Sequence, residues 1–99
     1  MNVNKNMMRQ MQQMQKDLAK AQQELETATV EASSGGGVVT VTMNGHQKIQ
    51  SIKIGKEAVD PDDVEMLEDL IMSAINEASG KAQQLSESRM GGFNIPGLT

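Results

Sequence analysis

The chain has no cysteine, no tryptophan, no tyrosine and a single phenylalanine. Without cysteine there is no disulfide, no thiolate nucleophile and no cysteine-ligated metal site. Without aromatics, 99 residues cannot build a thick core. Small chains bury a low fraction of their surface, and pairing with a second copy is a common remedy. No apolar run approaches the roughly 20 residues that a helix needs to cross a bilayer. The opening "MNVNKNMMRQMQQMQKDLAK" has neither the continuous apolar segment nor the cleavage site of a secretory signal. A soluble, cytoplasmic protein with no membrane partner is expected.

Positive charge is in deficit, with a net charge of −4. Taken alone, that counts against nucleic acid. The distribution says something different. Residues 1–20 carry Lys5, Arg9, Lys16 and Lys20 against Asp17 alone, and residues 44–56 carry Lys48, Lys53 and Lys56 with no acid. Residues 57–77 hold eight acids and no base. Local patches decide polyanion binding more than the total does.

What the chain has in quantity is periodic pattern. Met7, Met11, Met14, Leu18, Ala21 and Leu25 step alternately by four and three, an a/d heptad seam among good helix formers. This predicts a first helix over residues 4–26, about 34 Å long. "TATVEAS" alternates, so a strand is expected at about 27–33. "SGGG" marks a turn. "VVTVTM" predicts a second strand at 38–43, with Val39, Val41 and Met43 on one face. Asn44-Gly45 signals a tight hairpin whose turn positions both take positive φ. "QKIQSIKI" predicts a third strand at 47–54. Ile52 and Ile54 share a face there and Ile49 falls out of phase, so a bulge is expected near Gln50.

Asp60 and Pro61 suit the cap and first position of a second helix over 61–89. Its apolar stripe of Val64, Leu67, Ile71, Ala74, Ala78 and Leu85, widened by Leu70, Ile75 and Ala82, would cover one sheet face. The fold class is therefore α+β, in the order α-β-β-β-α, with a three-stranded antiparallel meander between two long helices. Residues 1–90 form one domain, and "GGFNIPGLT", 91–99, reads as a flexible tail. A lone three-stranded sheet has two open edges, which favours pairing as a homodimer.

No catalytic set is visible. His46 is the only histidine and sits at the hairpin turn, without the partners that nucleophilic catalysis needs. "DPDDVEMLED" places Val64 and Glu65 where a calcium loop needs a ligand and a glycine. Acids at a helix start have a simpler cause in the helix dipole. "SGGG" leads into a strand and lacks the Gly-Lys-Ser/Thr of a phosphate loop. The reading is no enzyme, no metal, no cofactor and no small-molecule substrate.

On a helical wheel with Lys5 at 0°, Arg9, Lys16 and Lys20 fall within about 60° and the apolar seam falls between about 160° and 240°. One face is thus a row of four cations about 22 Å long. Such a row suits a phosphate backbone, whose binding through counterion release is independent of base sequence. It is also what the solvated face of any amphipathic helix looks like. The methionine seam has two readings as well. It can pack within the core or a dimer, or form an adaptable groove through which an adaptor protein docks a partner's helix. On the second helix, Lys81 flanks the apolar stripe and Arg89 continues it, which places cations near the helix end.

"GGGVVTVTMNGHQKIQSIKI" followed by "DPDDVEMLEDLIMSAINEA", after a Met/Gln-rich helix and before "MGGFNIPGL", closely resembles the YbaB/EbfC family of bacterial nucleoid-associated proteins. The likeness covers nearly the whole chain, and the Asn-Gly hairpin and "EDLIMSAINEA" are its most specific parts. The resemblance implies an intertwined homodimer with a central body of sheets and projecting helical arms. It implies non-enzymatic binding of double-stranded DNA in the nucleoid, with effects on nucleoid organisation and gene expression. DNA contacts in the family are ascribed to the arms. At the matching positions of this chain these would be Lys5, Arg9, Lys16, Lys20, Lys81 and Arg89.

Overall fold

A computed structural model describes residues 4–91. Two helices, α1 (Lys5–Thr27) and α2 (Val64–Met90), flank three strands, β1 (Thr29–Ser34), β2 (Val39–Asn44) and β3 (Ile49–Ile54). The strands form one antiparallel sheet in the order β1-β2-β3. This is the α-β-β-β-α meander that the pattern predicts. Apart from Gly91, the anticipated tail lies outside the described residues. Among those residues no helix is long and apolar enough to cross a membrane.

The sheet follows from its alternation. Register places Val30, Ala32 and Ser34 beside Met43, Val41 and Val39, and these beside Ile49, Ile52 and Ile54. Gln50 has no partner, because pairing shifts between Thr42 opposite Ser51 and Met43 opposite Ile49. The expected bulge is therefore present. It turns Ile49 onto the face of the other two isoleucines, since one inserted residue restores the two-residue period.

α2 lies across β1 and β2, closing a core of Ala32, Val39, Val41, Met43, Ala58, Ala74, Ala78 and Ala82. Ala74, Ala78 and Ala82 are fully buried. One methyl group per helical turn lets the helix backbone come close to the sheet, a substitute for the bulk that aromatics would supply. Burying Val39 and Val41 contributes about 1.5–3 kcal/mol each. Leu67, Leu70, Ile71 and Ile75 flank the alanines, whereas Val64, assigned to the stripe by spacing, is exposed. α2 is not packed over β3. Ile49, Ile52 and Ile54 are each more than 40% exposed on an edge strand.

Two turns differ from expectation. Helix α2 begins at Val64 rather than Pro61. The Asp60 carboxylate accepts from the Asp62 N–H and the Asp60 carbonyl from the Asp63 N–H, which closes a turn around Pro61. Asp63 is the actual cap, its carboxylate accepting from the Met66 N–H. The β2–β3 connection is also longer than a two-residue turn. Gln47, and not Gly45, takes a positive φ, 64°. A turn closed by the Gln47 N–H and the Asn44 carbonyl, followed by one left-handed residue, is the three-residue hairpin pattern. At the other connection Gly35, Gly36 and Gly37 all have positive φ, a run that only glycine adopts cheaply. The Ser34 hydroxyl donates to the Leu70 carbonyl and anchors that turn to α2.

Because three alanines set the helix–sheet distance, Ala78→Leu should overpack the core. The expected loss is about 1–3 kcal/mol, read as a lower urea midpoint with unchanged slope. A wild-type midpoint would mean that the contact has room to spare.

Candidate nucleic-acid interface

An α-helix leaves its last four carbonyls without helical partners. At the end of α1 the tip of the β2–β3 hairpin supplies the missing donors. The Gly45 N–H points at the Leu25 carbonyl at 2.8 Å and the Ala28 carbonyl at 3.2 Å. The Asn44 side-chain amide donates to the Glu26 carbonyl, and its oxygen accepts from the His46 and Lys48 N–H groups. The His46 imidazole Nε2 lies 3.0 Å from the Gln22 carbonyl and donates in the tautomer that carries its proton there. Thr27 and Ala28 complete the end through the Glu24 carbonyl.

Gly45 is required here by space. A Cβ would sit 2.5 Å from Leu25 Cδ2 and 3.0 Å from the Leu25 carbonyl oxygen. Leu25 is 2% exposed and Asn44 5%. The Asn-Gly pair, read as a turn signal, is therefore also the socket for a helix. Pattern alone could not show this, since nothing local to residues 44–46 names residues 22–28 as partners.

From that socket α1 leads away as an arm. Ala21 and Leu25 are buried and Leu18 half-buried, whereas every residue from Lys5 to Asp17 is exposed. Asn4 caps the free end by accepting from the Asn6 N–H. Lys5, Arg9, Lys16 and Lys20 are exposed, and none makes an ion pair among the described residues. Asp17 is occupied by the Gln13 amide. The structure thus brings these four predicted cations together on one helix.

Lys81 and Arg89 are placed differently. Lys81 donates to the Glu31 carbonyl and lies 4.0 Å from Glu77. Arg89 bonds Glu24 at 3.2 Å, tying the end of α2 to α1, and both side chains are about half exposed. Arg89 braces the base of the arm, whereas Lys81 ties α2 to β1.

Charge is separated along the molecule, which measures 72 × 25 × 17 Å. α2 starts beside Ser34, where Leu70 meets that strand end, and Asp60, Asp62, Asp63, Glu65, Glu68 and Asp69 all precede Leu70. The arm leaves from the opposite end of the sheet, where Thr29 pairs with Asn44. The acidic segment and the cation row are therefore held apart by the length of six-residue strands, about 20 Å. At ordinary salt, charges that far apart are largely screened from one another.

The model of the YbaB/EbfC DNA-binding family matches residues 1–98. A nucleoid-associated protein of Chloroflexus aurantiacus is 58% identical over 84 residues, 85% of this chain and 84% of its own length. One from Alkaliphilus metalliredigens is 54% identical over 97 residues, covering 94% of this chain and 85% of that protein. The crystal structure of an uncharacterized protein from Helicobacter pylori superposes with a TM-score of 0.77 over 93% of this chain and 98% of that one. At 18% identity that likeness concerns the fold.

Asn44→Ala should release the socket. It removes three side-chain hydrogen bonds and strands the Glu26 carbonyl, at an expected cost of about 1–3 kcal/mol. Faster amide exchange over the last turn of α1 and around the hairpin tip should accompany it. Unchanged exchange there would show that the tip does not hold the helix.

Proposed function

The chain belongs to the YbaB/EbfC DNA-binding family, and from that premise we propose that it is a nucleoid-associated protein binding duplex DNA as a homodimer, chiefly through backbone charge and shape. The observation that carries the reading is the α1 arm with Lys5, Arg9, Lys16 and Lys20 on one exposed face. Lys5 to Lys20 spans about 22 Å, the run of about six phosphates along one strand. Nothing in the described residues resembles a base-reading helix-turn-helix or an aromatic stacking platform, so the contacts are to phosphates. Lys81 and Arg89, each beside a carboxylate, are secondary to this row.

The homodimer is supported by the uncovered edge. Ile49, Ile52 and Ile54 form an apolar row on a strand with no outer neighbour, and an edge left in that state is a template for pairing with another chain. Two bodies joined there would carry two arms. A nucleoid location, and effects on nucleoid organisation and gene expression, follow for a protein that bridges or decorates DNA without reading sequence. Family membership favours DNA over an adaptor role for the methionine seam.

The decisive measurement is fluorescence anisotropy of labelled duplex DNA across a salt series. Affinity should fall steeply with salt. Replacing Lys5, Arg9, Lys16 and Lys20 with Gln should flatten the log–log slope by about 3 to 4 for each arm engaged. An unchanged slope would move the DNA contact off the arm.

Ile52→Glu tests the edge. A carboxylate at the centre of an apolar joint is costly to bury, so light scattering should find half the wild-type mass at micromolar concentration. A wild-type mass for this variant would exclude β3 as the joint.

A further inference from the structure

The sheet has two faces, and the core beneath α2 occupies one of them, through Ala32, Val39, Val41 and Met43. The other face carries Ser33, Thr40 and Lys53 in one cross-strand row and Glu31, Thr42 and Ser51 in the next. None of these six residues is apolar. We propose that this face is a second contact surface for the phosphate backbone of duplex DNA, with Lys48 and Lys53 as its cations and the Thr40, Thr42 and Ser51 hydroxyls as donors beside them. The proposal rests on the DNA-binding reading and extends it from the arm to the body.

Charge is the first argument. Residues 44–56 contain no acid. Lys48 and Lys53 are exposed, and neither makes an ion pair among the described residues. Five residues apart, they would lie on opposite faces of a regular strand. The unpaired Gln50 changes that, because one inserted residue brings both lysines to the same face. They stand about 14 Å apart along the strand. Glu31 is the one acid in the two rows, and it lies on β1, two strand spacings or about 10 Å from β3. The acids of α2 belong to a helix packed on the opposite face.

The hydroxyls are the second argument. Phosphate oxygens are bound by Ser and Thr side chains as well as by Lys. Thr40, Thr42 and Ser51 are half-buried, so they form a shallow floor of donors beside the two lysines.

Place is the third. The Asn44 N–H donates to the Lys48 carbonyl, and the arm leaves from that end of the sheet, where Thr29 pairs with Asn44. The face therefore adjoins the foot of the arm, and a duplex held by the arm has it within reach.

A second copy is the weaker occupant. Sheets stack through interdigitating apolar side chains, which the two rows lack. Stacking would also bury Lys48 and Lys53 without partners, which is costly.

Lys48→Gln combined with Lys53→Gln removes both cations and leaves the core untouched. In anisotropy titrations of labelled duplex DNA across a salt series, this double variant should flatten the log–log slope by about 2 for each chain engaged. That loss should add to the loss caused by replacing the four arm cations. A wild-type slope in the double variant, beside a flattened one in the arm variant, would overturn the proposal and leave the DNA reading standing. No binding by the wild-type chain at low salt would overturn both. The absence of cysteine gives a second readout. Thr42→Cys carrying an azidophenacyl group should crosslink to duplex DNA on irradiation, whereas the same group on Met72→Cys, at an exposed site of α2, should not. A crosslink from residue 42 to a second protein chain and none to DNA would overturn the proposal, because the face would then join two copies. Equal crosslinking to DNA from both sites would overturn it as well.

Discussion

The structure depends on a helix end held by a hairpin tip. The Leu25, Glu26 and Ala28 carbonyls meet donors from Asn44 and Gly45, with His46 Nε2 beside the Gln22 carbonyl, and the absence of a Cβ at residue 45 lets Leu25 close the joint. Without this joint, α1 would keep only its contacts with the end of α2, the Glu24–Arg89 pair among them, and its cations would be far less fixed in direction. With it, fifteen residues' worth of charge spacing is held at a defined place on the body. The plain hairpin between two long helices is therefore a mount, and its lack of reactive groups suits that task.

A core with no aromatic side chain among the described residues imposes a second constraint. α2 presents alanines to the sheet, so helix and strands close tightly over β1 and β2. A single helix laid this closely cannot also reach β3. The third strand keeps its isoleucines in the open, and an apolar edge on so small a core is the feature that makes a second copy useful. Thin packing and the proposed pairing share one cause, the scarcity of aromatic residues.

The net negative charge and the DNA reading are reconciled by placement. Acids gather at the start of α2, where Asp63 caps the helix and Glu65 lies in its first turn; negative charge there is favourable beside the positive helix end. The cations stand at the far end of the sheet. Glu24, at the base of the arm, is engaged with Arg89, and Glu77 lies beside Lys81 on α2, while the outer cations make no ion pair among the described residues.

Strand order, the bulge at Gln50, the helical seam and the clustering of four cations were legible in the sequence, because each is a local period that the backbone geometry translates directly into a face. The helix start at Val64 was not, since three aspartates compete to cap it and the turn around Pro61 decides among them. Nor was the left-handed Gln47, because Asn-Gly serves equally in a shorter turn. The long-range partners of Gly45, Lys81 and Arg89 lie 17 to 65 residues away in the chain, beyond the reach of any periodicity. Which elements form, and which side of each is apolar, follows from residue order alone; where the arm stands, which cations it leaves unpaired and which strand stays bare depend on long-range contacts that exist only once the chain has closed on itself.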